Sequence, residues 1–203
     1  MDEIIVNTQS SIRIENDGKV IYFDPFKIEE ETHDADIIFF THEHYDHYSK
    51  EDYMKVAKSD TVYVMPKSMG SDFDDIAILL NPNDKTKILG MHVEANRAYN
   101  INKPYHPYDN GWLGYKVDLK GYIIYVCGDT DYVPELKNIK CDILFVPIGG
   151  KFTMDYEEAA NFTNDIKPKT VIPIHYGNII GNEKDYDKFK ELIDEDIEVL
   201  KKL

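Results

Sequence analysis

Residues 41–49 read Thr-His-Glu-His-Tyr-Asp-His-Tyr-Ser, so three of the chain's seven histidines, His42, His44 and His47, fall within six positions. Neutral imidazole nitrogens and carboxylate oxygens suit zinc, or iron and manganese where the oxygen share is larger. In the pattern His-x-His-x-Asp a turn points alternate side chains the same way, so His42, His44 and Asp46 can face one cavity. His47 then projects beside Asp46 toward a neighbouring position. So many donors on one short loop exceed what a single tetrahedral ion takes. Two ions resolve this, with His42 and His44 on one and Asp46 and His47 on the other. Glu43 and Tyr45 read as spacers directed away from the metals.

Two ions need further ligands, and the ends of apolar segments offer them. Asp129 follows the run YIIYVC and His175 follows TVIPI, so both emerge at strand ends. A carboxylate between two cations about 3.5–4 Å apart can bridge them, the role expected of Asp129. His175 then completes the second ion. The first ion lacks a third histidine, and His92 and His106 are the candidates. His92 lies inside ILGMHVEA, where alternation can place it on a sheet face. His106 lies in KPYHPYDNGW, a Pro-rich loop. Loops carry ligands more readily than strand interiors, which favours His106. His33, in a polar stretch, has no support for a role.

The elements that must position these residues alternate between short apolar runs and amphipathic ones. SIRIE (11–15) and GKVIYFDPF, separated by Asp17-Gly18, form a hairpin pattern. ADIIFF (35–40) is continuously apolar, as in a strand buried on both faces, and runs straight into the histidine loop. Ser49 with Asp52 marks a helix start, followed by an apolar face of Tyr53, Val56 and Ala57. TVYVM is a strand stopped by Pro66, a small helix follows Ser68, and TKILGMHVEAN contains two strands. The second half repeats the rhythm. Two strands join at Lys120-Gly121, CDILFVPIGG is a buried strand, DYEEAANFTNDI is a helix, KTVIPIHYG is a strand and EKDYDKFKELI is a helix. Two successive sets of strands and helices suggest an internally duplicated αββα sandwich of the α/β class, forming one domain over residues 1–203.

Composition narrows the function classes. The chain carries 23 Lys and Arg against 38 Asp and Glu, a net charge of −15, with no basic cluster to neutralise phosphates, so nucleic acid is not an expected partner. No apolar run approaches the roughly 20 residues that span a bilayer. The stretch MDEIIVNTQS lacks a basic segment followed by an apolar one, and Cys127 and Cys141 lie in apolar strand-like segments as free thiols. A cytoplasmic location and a small-molecule substrate are the corresponding expectations.

The run His42-Glu43-His44-Tyr45-Asp46-His47, a later histidine, Gly128-Asp129-Thr130 and Ile174-His175-Tyr176-Gly177 together resemble the metallo-β-lactamase superfamily over nearly the whole chain. The resemblance implies two mixed sheets between helices, with a metal site at one sheet edge. It assigns His42, His44 and His106 to one ion and Asp46, His47 and His175 to the other, with Asp129 bridging. It also implies that Asp24 of FDPF orients a ligand histidine. The segment AYNINKPYHPYDNGWLGY is similar to small prokaryotic metal-dependent hydrolases of the ascorbate-phosphate lactonase and N-acyl phospholipase D branch. His44 disfavours the di-iron oxidoreductases, which carry a glutamate there. The RNA-processing members, with a long inserted domain or a basic substrate arm, and the glyoxalase II-like enzymes, with a C-terminal helical domain, are not the expected branches.

Two divalent cations, most readily Zn2+, lower the pKa of a bridging water far below its bulk value. The implied reaction is attack of that hydroxide on an ester, lactone or phosphodiester, with Asp46 orienting the nucleophile or carrying a proton. Gly149-Gly150 can let substrate approach the backbone, and Lys151, Tyr105 and Trp112 are the other expected pocket residues. A metal- or ligand-binding protein without turnover, or a nuclease, would use the same donors.

Overall fold

A computed structural model describes residues 3–72 and 77–203. Its strands form two sheets, one in the first part of the chain and one in the second. The first contains β1 (Glu3–Thr8), β2 (Ser11–Asn16), β3 (Lys19–Phe23), β4 (Ala35–Phe39), β5 (Ala57–Pro66) and β6 (Ala77–Leu80), side by side in chain order. The second contains β7 (Lys85–Ile88), β8 (Met91–Arg97), β9 (Leu113–Asp118), β10 (Ile123–Val126), β11 (Ile143–Pro147), β12 (Thr170–Ile174) and β13 (Glu198–Val199), again in sequential order. Each sheet begins with antiparallel strands and changes to parallel pairing, at β3–β4 in one and β10–β11 in the other. The duplicated rhythm of the sequence therefore has a counterpart in topology.

Helices cover the outer faces. α1 (Lys50–Val56) lies on the first sheet, and α2 (Tyr156–Ile166) and α3 (Asp185–Leu192) lie on the second. β4 shows why its sequence is continuously apolar. Ile37 and Phe39 enter the core between the sheets, while Ile38 and Phe40 pack under α1 beside Tyr53 and Val56. On β11, Phe145 points inward, while Leu144 and Val146 meet Ala159, Ala160 and Phe162 of α2. The architecture is the αββα sandwich of the metallo-β-lactamase fold.

Local chemistry fixes the helix starts. The Ser49 hydroxyl accepts from Asp52 N, and the Asp155 carboxylate accepts from Glu157 N and Glu158 N at 3.0 and 2.8 Å. Ala57 is not on the α1 face, as expected from spacing, because the helix ends at Val56 and β5 starts there. The short helix near Ser68 is a 3-10 helix, Lys67–Asp72. Strands β1, β6 and β13 carry weaker patterns than the others and appear only in the folded chain. Among the described residues no helix is long and apolar enough to cross a membrane.

Candidate metal centre

The expected site residues lie where strands of both sheets give way to loops. Phe39 ends β4, and the loop that follows curls so that Tyr48 N and His47 N both donate to His44 O, at 2.8 and 2.9 Å. The second sheet anchors this loop. Leu113 N donates to Thr41 O at 3.0 Å, and the buried Tyr115 hydroxyl donates to Phe40 O at 2.7 Å. Asp129 leaves the end of β10 through Gly128, whose φ is +65° and where an added Cβ would meet Leu113 O at 2.9 Å. His175 follows β12 in a left-handed conformation, φ 55°, with its backbone N–H on Gln9 O. Asp24, just past β3, is also left-handed at φ 43°. Such strain persists only where surrounding contacts fix the residue.

Three sets of donor atoms converge within 4.8 Å: His42, His44 and His106; His42, His47 and Asp129; and Asp46, His47 and His175. Asp129 lies among them. Its Oδ2 is 3.3 Å from both His106 Nε2 and His175 Nε2, and its Oδ1 is 3.4 Å from His47 Nε2. Asp46 Oδ2 is 3.5 Å from His175 Nε2 and 3.8 Å from His47 Nε2. His92 is not among these groups. It is exposed on β8, paired with Lys87 and Asp118 in the sheet, so its side chain belongs to the sheet face.

Each support fixes which ring nitrogen is available. Asp24, wholly buried, accepts from Thr41 N, Thr41 Oγ1 and His47 Nδ1 at 2.6–2.7 Å. Thr41 Oγ1 lies 3.0 Å from His42 Nδ1 and accepts its proton. His106 Nδ1 donates toward Asn100 Oδ1 at 2.9 Å and Phe152 O at 3.1 Å. Asn100 is itself held, its amide donating to Asp131 Oδ1 and Phe152 O at 2.9 Å each. Lys103 Nζ closes the network on Asp131 Oδ1 at 2.6 Å and Thr153 O at 2.7 Å. These bonds place protons on Nδ1 of His42, His47 and His106 and leave their Nε2 atoms for the cluster.

Those free atoms test whether a cation fits. His47 Nε2, His106 Nε2, Asp129 Oδ1 and both ring nitrogens of His175 are buried without any hydrogen-bond partner. Buried polar atoms are ordinarily satisfied, so a convergent set of orphaned donor atoms matches a cation-binding cradle. His42 Nε2 and His44 Nδ1 also lie only 3.0 Å apart. The electrostatics agree. Burial, reinforced by His47, pushes the His42 imidazole well below its usual pKa, and burial with His106 lowers His44. Burial alone would disfavour the Asp129 carboxylate, but His175 and His47 hold its pKa well below the ordinary range. Burial also opposes a charged His47, yet Asp129 and Asp24 outweigh it and raise this imidazole well above the usual value. The carboxylates thus draw positive charge to the place where the donors converge.

A cleft of about 370 Å³ opens over the cluster, walled by Tyr45, Tyr105, Lys151, Phe152, Ile179 and Ile180. The expected pocket residues divide here. Tyr105 and Lys151 line the cleft. Trp112 does not, being buried against the rings of His42, His44 and His106 at centroid distances of 4.9–5.5 Å. Gly149 and Gly150 are also absent from the described lining. A Cβ on Gly149 would meet His175 O at 2.3 Å, so this glycine serves backbone packing, and Gly150, φ 68°, makes the turn. Tyr45 is not a mere spacer, because its exposed ring forms part of the wall. Spacing did not reveal Asn100, Asp131 or Lys103. Their only sequence signal is polar residues flanking His106 and Asp129, which acquires meaning once two loops meet.

Residues 3–175 match the family of β-lactamase superfamily domains. A UPF0173 protein of Pyrococcus furiosus is 33% identical over 191 residues, covering 88% of this chain and 84% of its own. A UPF0173 metal-dependent hydrolase of Lysinibacillus sphaericus is 29% identical, covering 98% and 96%. Among solved structures, a protein described as a metal-dependent hydrolase of Parabacteroides distasonis shares 30% identity and a TM-score of 0.84, covering 98% and 92%. The metallo hydrolase Igni18 of Ignicoccus hospitalis shares the fold at TM-score 0.82 and 22% identity, covering 97% and 93%.

Proposed function

The chain belongs to the UPF0173 family of the β-lactamase superfamily, and from that premise we propose that it is a hydrolase with a dinuclear metal centre. The observation that carries this reading is the convergence of orphaned, buried imidazole and carboxylate atoms around Asp129. His42, His44 and His106 would hold one ion, Asp46, His47 and His175 the other, and Asp129 would face both. Nitrogen-rich donor sets favour zinc over harder cations. Divalent cations held there supply Lewis acidity and lower the pKa of water at the site.

The chain's own residues do the rest. Asp46 stands at the cleft floor with its pKa lowered, since His175 and His47 nearby overcome the opposing effect of burial. It is the carboxylate placed to orient a water molecule and to carry a proton toward the leaving group. Asp24, Thr41 and Asn100 act as positioning residues by fixing imidazole tautomers. The aromatic and aliphatic walls exclude bulk water and strengthen electrostatic interactions at the floor. The cleft suits a small substrate with an ester, lactone or phosphodiester bond, the bond types that kinship with the ascorbate-phosphate lactonase and N-acyl phospholipase D branch would bring. Free thiols at Cys127 and Cys141 accord with a cytoplasmic setting.

The test is metal analysis of the purified protein joined to a hydrolysis screen over phosphodiester, lactone, thioester and amide probes. About two divalent ions per chain and turnover of at least one bond type are expected, with turnover and at least one ion lost in Asp129→Asn. Absence of transition metal from protein made without chelators contradicts the reading. Bound metal without turnover of any probe would leave a metal- or ligand-binding protein on the same fold.

A further inference from the structure

The cleft wall differs chemically from its floor. Tyr45, Tyr105, Phe152, Ile179 and Ile180 offer apolar surface, while Lys151 is the only Lys or Arg among the described lining residues. Some described lysines, among them Lys55, Lys58, Lys103, Lys116 and Lys188, stand within 4 Å of a carboxylate and others on the surface do not, so the place of Lys151 on the cleft is what sets it apart. Lys151 has no described carboxylate at that range. Its ammonium lies 4.8 Å from the centre of the Phe152 ring, which itself meets Tyr105 edge-on at 4.5 Å.

The backbone that presents this lysine is tightly held. Gly150 N donates to Met154 O at 2.9 Å, and Thr153 N donates back to Gly150 O at 3.0 Å, closing the turn. Met154 N is bonded to Thr130 O at 2.9 Å, next to Asp129. Asn100 and Lys103 hold the carbonyls of Phe152 and Thr153, so the network that orients His106 also fixes this wall. Lys151 takes a left-handed conformation, φ 44°, at the tip of the turn. A cation that rests on an aromatic ring and has no carboxylate within 4 Å among the described residues, on a pinned turn at the cleft wall, can take an anion from a ligand in the cleft.

We propose that the substrate is an amphipathic anion, with its hydrolysed group at the cluster, a short apolar segment along the Tyr105–Phe152 wall, and a carboxylate or phosphate on Lys151. This rests on the metal-dependent hydrolase reading above. Binding two divalent cations would outweigh the charges of Asp46 and Asp129, so the floor would also favour anionic or polarised oxygen.

The test is equilibrium binding to the zinc-loaded chain of butyrate, glutarate and 4-phosphonobutyrate. These share a short aliphatic segment and differ in the second anionic group. Glutarate or 4-phosphonobutyrate should bind about tenfold more tightly than butyrate. Lys151→Gln should bring the ratio close to one, and Lys151→Arg should restore most of it. Lys137→Gln, on the exposed surface, should not change it. The stronger of the two dianions identifies carboxylate or phosphate as the group recognised. Equal ratios in the native chain and Lys151→Gln, with zinc bound in both, would overturn this inference alone. Failure of the native chain to hold zinc would overturn it together with the hydrolase reading.

Discussion

His47 and His106 touch different oxygens of Asp129, and the protein orients them by different means. His47 leans directly on a carboxylate, Asp24, that is entirely buried at the end of a strand in its own sheet. His106 leans on a neutral amide and a backbone carbonyl, and the charges behind them, Asp131 and Lys103, act one bond further away. A carboxylate against an imidazole both fixes its tautomer and raises its basicity, whereas an amide mainly fixes it. The His47 side should therefore depend strongly on one residue, and the His106 side should spread its dependence over several.

The largest effect is expected at Asp24. Asp24→Ala should weaken metal binding about a hundredfold, read by competition with a chelating dye, because His47 loses its acceptor and Thr41 N becomes a buried orphan. Asn100→Ala should cost about tenfold and affect only one of two binding steps. An equal loss at the two positions would contradict different support of His47 and His106. Lys103→Met should cost only a few-fold in metal affinity and show mainly as a lower melting temperature, since Asp131 keeps its bonds to Asn100 and Ile101.

Tyr115→Phe removes the buried hydroxyl bond to Phe40 O without touching any donor atom, and should cost about 1 kcal/mol in chemical denaturation. The smallest effect lies outside the donor cluster, at Asp34. Although burial opposes it, hydrogen bonds from Thr32 and Arg13 lower the Asp34 pKa. A carboxylate depressed in the folded state contributes stability above its unfolded pKa, and this is lost as pH falls through the folded value. Asp34→Asn should therefore lower stability slightly at neutral pH and flatten its decline below about pH 4. Metal binding should not follow that pattern.

The same contrast explains what could be read from the residues. The histidine loop was visible because its donors are neighbours in sequence and follow a strand whose two buried faces make it continuously apolar. Asp129 and His175 were visible because a polar residue directly after an apolar run must emerge at a strand end. His106 could be preferred over His92 only from its loop setting, and the folded chain separates the two by placing His92 on an open sheet face. Asn100, Asp131 and Lys103 were not legible, because their roles arise where loops 98–106, 129–131 and 149–155 meet. The packing role of Gly149 was not legible for a related reason. The group that excludes its side chain is the carbonyl of His175, 26 residues away in sequence. The pairing of β1 with β2, and the short strands β6 and β13, depend on neighbours that a local pattern does not reveal.

One constellation of seven side chains should hold two cations around Asp129. Anomalous diffraction from crystals of the zinc-loaded protein, collected on both sides of the zinc edge, tests it most directly. Two zinc peaks flanking the Asp129 carboxylate are expected, one against His42, His44 and His106 and the other against Asp46, His47 and His175. No peak within reach of Asp129, or zinc confined to surface residues such as His33 or His92, would contradict it.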